Sequence, residues 1–398
     1  MNEDKAITIS DPGPLKDNGK LNAVLLVMAG LGVVFFLAGM LLDPRRTWYN
    51  FIIDYFFFMA LGVAGLVLAA VHYAAGATWS VTVRRVAEGM LAGLPVSLVL
   101  SLLLILAIPA LYAWDLPEHI HLWHEKHIYL CKKCFMLRQF LSYAIWIWLG
   151  MAIVRNSLKQ DSTGDTNLYW RNKRLSVIFL LLFALTITFM SVDLLMSLEE
   201  TWYSTMFPVY IFAGLFLSGY AACVILVIVF RRAGYLAEAV QDYHLRDMGT
   251  WLMAFSVFMV YIGFSQYMLI WYANLPLEIG YMIKRSHGGW GYIFVLLPLL
   301  KWIVPFVVLM PERWRRNENV LLAVCAGVLI GQWLDLYWIV VPAFSDKFIW
   351  FGWIEAGVLM GFAGLFGLAL LRFYRRHSLV AHRDPRLEEC MKGRYLHV

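Results

Sequence analysis

The sequence predicts an all-α, polytopic membrane protein of about ten transmembrane helices, on three observations. Hydrophobic residues make up 61% of the 398 and charged residues only 15%, against roughly 25% charged in an average soluble protein. Mean hydropathy is +0.66 over the whole chain, which belongs to a membrane protein and not to a large soluble core. The apolar residues also gather into ten runs, each long enough to cross roughly 30 Å of hydrocarbon at about 1.5 Å per residue.

In order, the spans fall at about 21–42, 51–74, 91–111, 135–154, 175–196, 206–230, 249–271, 290–310, 318–341 and 350–372. Residues 1–20 are polar, mix both charge signs and contain Pro12 and Pro14, so they read as a short disordered tail and not as a cleavable signal. The main membrane domain is 21–372, and 373–398 forms a basic tail. Aromatic pairs sit at span ends as interfacial anchors, among them Trp48-Tyr49 before span 2 and Trp202-Tyr203 before span 6. Span 7 closes on Phe264-Ser265-Gln266-Tyr267 through Trp271-Tyr272 to Asn274-Leu275-Pro276. An amide at Gln266 is costly inside a membrane, so it is expected to face other helices or a polar cavity. Asn-Leu-Pro then ends the helix. In span 10, Gly357 and Gly361 followed by Gly364 and Gly367 predict a helix-packing or subunit contact.

Lys and Arg fix the expected orientation. Ten spans put both termini on one side, which holds 23 of the 33 Lys and Arg; the opposite side holds nine, and Lys301 lies within a span. The positive-inside rule therefore places both termini in the cytoplasm. The arginine blocks at 313–316 and 372–376 read as topology anchors near anionic headgroups, and nothing points to nucleic acid.

The chain is poor in ligands for redox centres. Of ten histidines only His72 lies in a predicted span, which argues against a bis-histidine haem. An iron–sulfur cluster needs about four thiolates, and of the five cysteines only Cys131 and Cys134 are close together. Phe135 follows that pair where a c-type haem site has His. Between spans 3 and 4, Glu118, His119, His121, His124, Glu125 and His127 precede the two cysteines. The spacing His127-x3-Cys131-x2-Cys134 suits zinc. The alternative is an amphipathic interfacial segment whose cysteines are free or joined as a disulfide.

Ionisable groups at membrane depth are functional candidates because desolvation is costly. Asp54 and Asp193 lie near the outer ends of spans 2 and 5, Lys301 near the middle of span 8, and Asp335 in the outer half of span 9. Lys301 and Asp335 could be a buried pair that joins two helices. They could instead relay protons with Gln266, Ser265 and Tyr337.

Several of these segments carry a resemblance. Asp193-Leu-Leu-Met-Ser-Leu-Glu-Glu-Thr-Trp202-Tyr203-Ser204-Thr205 resembles a "D-W-x-M-S-L-x-P-x-W-[YF]-S-T" signature. The run Phe264 to Pro276, Pro305-Phe306, and Asp335-Leu-Tyr337-Trp338 with Pro342 resemble further segments of the same family. Together they are similar to the second NrfD-like membrane subunit (the ActF type) of alternative complex III, a bacterial quinol:electron-acceptor oxidoreductase. Leu194 stands where that family has Trp, Leu277 replaces the first Glu of Pro-Glu-Glu, and Lys301 precedes Trp302 where an uncharged residue or His is usual. Tyr129 to Phe135 with Arg138 resembles a structural start to span 4, which makes the cysteines substitutions in that segment and argues for no metal.

The resemblance implies two four-helix bundles, spans 2–5 and 6–9, flanked by spans 1 and 10. It implies a chain in a bacterial cell membrane that binds no redox cofactor itself. A sister NrfD-like subunit, iron–sulfur subunits and multihaem cytochrome c subunits would be its partners. The leading expectation is a subunit for assembly and proton translocation, with a path through Asp193, Ser265, Gln266, Lys301, Asp335 and Tyr337. A second is that the chain itself binds quinol near Asp54, Asp193, His119 and His121. A third is a stand-alone transporter with a broken span 7 around Gln266 to Pro276.

Overall fold

A computed structural model describes residues 11–115, 129–199, 201–345 and 348–392. It is helical throughout, with no strand among the described residues. Ten helical segments are long and apolar enough to cross a membrane, as the composition requires.

The helices begin and end where local chemistry dictates. Helix α1 (Gly19–Leu42) starts on Asn18, whose side chain caps the Leu21 amide. Helix α2 (Pro44–Ala75) has Pro at its first position, an Asp43 cap, and a left-handed Gly76 (φ 66°) as its stop. Helix α3 (Val81–Met90) continues through a 3₁₀ turn into α4 (Leu94–Leu111). Helices α5 (Lys132–Thr163) and α6 (Asn167–Leu194) form a long hairpin, with Gly164 (φ 70°) ending α5. Helix α7 (Phe207–Arg232) leads to α8 (Asp242–Ala273). Asn274 (φ 51°) stops α8, Pro276 opens α9 (Pro276–Ser286), and the chain turns back.

The eighth span is composite: α10 (Trp290–Pro298), a π turn (Leu299–Ile303) and α11 (Val304–Leu309). The short α12 (Glu312–Arg315) precedes α13 (Glu318–Val340), and α14 (Trp353–Tyr374) is the last span. A terminal helix, α15 (Leu387–Lys392), lies beyond it.

Two four-helix groups result, one of α2, α3–α4, α5 and α6, the other of α7, α8, α10–α11 and α13. They meet where α2 packs on α7 and α13. Helix α2 is apolar all round, and its whole hydrophobic window is buried, as expected of a helix with neighbours on every side. Helix α1 is its opposite: it packs chiefly on α14 and leaves Val24, Leu26, Val27 and Leu37 more than half exposed. The span 10 glycines make that contact. A Cβ at Gly32 would lie 2.1 Å from the Gly361 Cα, and one at Gly364 would lie 2.6 Å from the Ala29 nitrogen. The glycine face thus serves packing within the chain.

Three boundaries differ from the sequence reading. The stretch 81–90 is a buried helix whose Arg84, Arg85 and Glu88 pair with one another and with Asp384 and Asp161. Mutual pairing lets a charged segment leave water, which hydropathy cannot anticipate. Helix α8 starts at Asp242, which brings His244 into a helix, buried against Cys390. It also runs unbroken through Gln266 to Ala273, so the break that the transporter reading places around Gln266 to Pro276 falls only at the end of the span, at Asn274. The irregular turn lies in span 8 instead.

The first and last described segments lie on one face. Leu15 donates its amide to the Tyr374 carbonyl, and Ser378 bonds Asp11. The basic segment after α14 folds back onto the bundle, burying Leu379, Val380, Ala381 and Cys390.

Candidate functional site

The π turn is where local sequence becomes a site. Pro305 has no N–H to give the Lys301 carbonyl, and its ring would crowd that oxygen in a regular helix. The five-residue turn between Pro298 and Val304 resolves the conflict. The Lys301 side chain is buried beside α13. Its stem passes Gly331, where a Cβ would lie 2.9 Å from the Lys301 Cγ, so only glycine leaves the room.

One turn further along α13, Asp335 accepts from the Lys301 Nζ at 2.7 Å. Its other oxygen accepts from the Tyr210 hydroxyl of α7 at 2.6 Å. The two charged side chains are only 4% and 1% exposed. Three elements of the second bundle are therefore tied by one buried ion pair and one phenol. Each Asp335 oxygen is satisfied, which an ion pair at this depth needs if it is not to destabilise the fold. A proton passing from the ammonium to the carboxylate would leave two neutral, hydrogen-bonded groups. The cluster is thus a place where a proton can be held or surrendered with little rearrangement.

Beside it lies a cavity of about 370 Å³, walled by α7, α8, α9, α10 with the π turn, and α13. Tyr210, Gln266 and Lys301 supply its polar wall, while Tyr267, Phe294, Trp302 and Trp338 supply aromatic surface. Phe264 and Val295 belong to the lining yet are 60% and 68% exposed, so the cavity opens on the lipid-facing side of the bundle. Gln266 is 5% exposed and lines the cavity.

Helix α9 roofs the cavity on the face opposite the termini. Arg285, fully buried, donates to Glu199 at 2.7 Å and to the Ile339 carbonyl at 2.7 Å. Its own carbonyl accepts from the Trp338 indole at 2.9 Å. Tyr281 stacks on Trp202 with ring centroids 3.8 Å apart. Burial pushes the Tyr281 phenol up to about 12, against the pull of Arg285, so it faces the cavity neutral. The segments 193–205, 264–276 and 335–342, remote in sequence, thus converge around α9.

The other sequence candidates are distributed elsewhere. Ser265 donates to the Tyr261 carbonyl of its own helix and does not reach the ion pair. Tyr337, two residues from Asp335, points to the far side of α13 and donates to the Ile349 carbonyl. Asp193 belongs to the first bundle, gripped in bidentate fashion by Arg138 at 2.8 and 3.0 Å. Asp54 accepts from the Trp333 indole at 2.6 Å, while its second oxygen has no partner. Asp54 thus faces α13, not Asp193. Lys301, Asp335 and Gln266 are thus brought to one cavity, while Ser265, Tyr337 and Asp193 have their direct partners elsewhere.

His119 and His121 lie outside the described residues, as does all of 116–128. Cys131 and Cys134 are joined as a disulfide, with the Cys131 sulfur also capping α5. Among the described residues no three His, Cys, Asp or Glu side chains are grouped to hold an ion.

Two participants carried little sequence signal. Tyr210 sits among aromatics that read as an interfacial anchor, and Arg285 counted only as a loop charge. Compared with known proteins, the chain matches no family model and no curated sequence.

Proposed function

We propose that this chain is an integral membrane subunit of a quinol-oxidising electron-transfer complex of the alternative complex III kind. It carries no redox centre of its own and exchanges protons at Lys301, Asp335 and Tyr210. The observation that carries this reading is the buried ion pair and phenol, with both Asp335 oxygens bonded, beside a lipid-facing cavity. Convergence of the three family-like segments around α9 supports it, since motifs that build one site have a reason to occur together.

In this reading the face holding both termini is cytoplasmic, following its excess of Lys and Arg. The sister subunit oxidises quinol, and electrons leave through iron–sulfur clusters and c haems held by partners. The stand-alone transporter loses its motivating feature, because α8 is continuous.

Gentle detergent purification of the tagged chain, with subunit identification and a reduced-minus-oxidised spectrum, tests the proposal. Haem bands with several co-purifying subunits are expected. A colourless single chain would overturn it.

A further inference from the structure

The cavity beside Lys301 has a polar wall made largely of donors, and its chemistry selects an occupant. The Lys301 ammonium has three protons, and one goes to Asp335. The Tyr210 proton is also committed to Asp335. Among the groups left to serve a ligand are the remaining ammonium protons and the amide of Gln266, a side chain only 5% exposed on the cavity wall. An occupant that accepts from these donors gains their hydrogen bonds.

Net charge narrows the choice. Asp335 already neutralises Lys301, so an anion such as a fatty acid or a phospholipid headgroup would enter uncompensated, at high cost. A neutral acceptor fits. The aromatic lining from Tyr267, Phe294, Trp302 and Trp338 suits a planar ring. The volume, about 370 Å³, lies in the range of small-molecule sites, roughly 300–1,000 Å³. The opening at Phe264 and Val295 meets the hydrocarbon, so the ligand arrives from the bilayer and leaves a tail there.

We propose that this cavity binds the ring of a quinone, one carbonyl oxygen accepting from Lys301 and the other facing the Gln266 amide. The site lies in the second bundle, away from Asp54 and Asp193, and involves binding alone, with no electron transfer at this chain. The assignment rests on the proposed function for its supply of quinone, while the donor geometry stands independently of it.

Photoaffinity labelling of the purified assembly with an azido-ring quinone tests the site. Label is expected on peptides carrying Met259–Tyr267 and Phe294–Trp302, and excess unlabelled quinone should remove it. Gln266→Leu should weaken labelling about tenfold, the loss of roughly one well-made hydrogen bond, without altering the yield of folded protein. Label confined to spans 2–5 would overturn the proposal. So would a photoactivatable phospholipid that labels the same peptides and is not displaced by quinone, since the cavity would then hold lipid chains only. Cavity labelling in a chain purified without haem or iron–sulfur subunits would keep the site and remove the proposed function. A haem-containing assembly with no cavity label would do the reverse.

Discussion

Lys301 and Asp335 hold each other in place at a depth where neither charge could stand alone. Removing one partner leaves the other uncompensated, so Lys301→Met should destabilise the purified protein by about 3–5 kcal/mol. The double variant Lys301→Met with Asp335→Asn should recover most of that loss, because two neutral side chains need no counter-charge. Thermal unfolding followed by tryptophan fluorescence compares the two; equal melting of single and double variants would show that the pair is not coupled. Both residues were legible in the sequence as charges within apolar runs. Their pairing was not, since the depth and direction of Lys301 depend on a π turn that periodicity cannot anticipate. Tyr210 was less legible still, being one of twenty tyrosines and close to a span end where aromatics are ordinary.

Helix α1 depends on α14 through backbone approach more than through side chains. Gly361→Val should therefore cost about 1–3 kcal/mol by overpacking. Gly30→Val should cost little, because a Cβ there meets nothing within 4 Å; urea titration of both variants separates the two outcomes. The glycine pattern was readable in advance because small residues at a spacing of four have a single strong use in membranes. The fold-back after α14 was not readable, since a basic, mixed segment looks like any solvated tail. Burial pushes the Cys390 thiol up to about 11, so it is a neutral thiol at pH 7. Maleimide labelling at Cys390 should be slow at pH 7 and rise as pH approaches that value. Asp384→Asn, which removes the counter-charge to Arg84, should release the segment and speed labelling at neutral pH. An unchanged rate would mean that the Arg84 pair does not hold the segment down.

Across the whole molecule, ten spans, two bundles and a shared face for the termini follow from hydropathy, the family-like motifs and an even span number. What eluded the sequence is where charge is internalised at the terminal face. Arg84 and Arg85 read as loop charges, yet with Glu88 they sit in a buried network. The orientation rests on the positive-inside bias. An impermeant maleimide should accordingly reach Ser162→Cys only from the cytoplasmic side and Gly280→Cys only from the outer side, both positions being exposed on opposite faces; the reverse pattern would invert the topology.

The proposed role is proton movement by a chain that does not itself oxidise quinol. Its most direct test is the ratio of protons translocated to quinol oxidised by the assembly in sealed vesicles carrying Asp335→Asn. The account predicts that oxidation continues while proton translocation falls sharply. Equal loss of both, or no change in either, would contradict it.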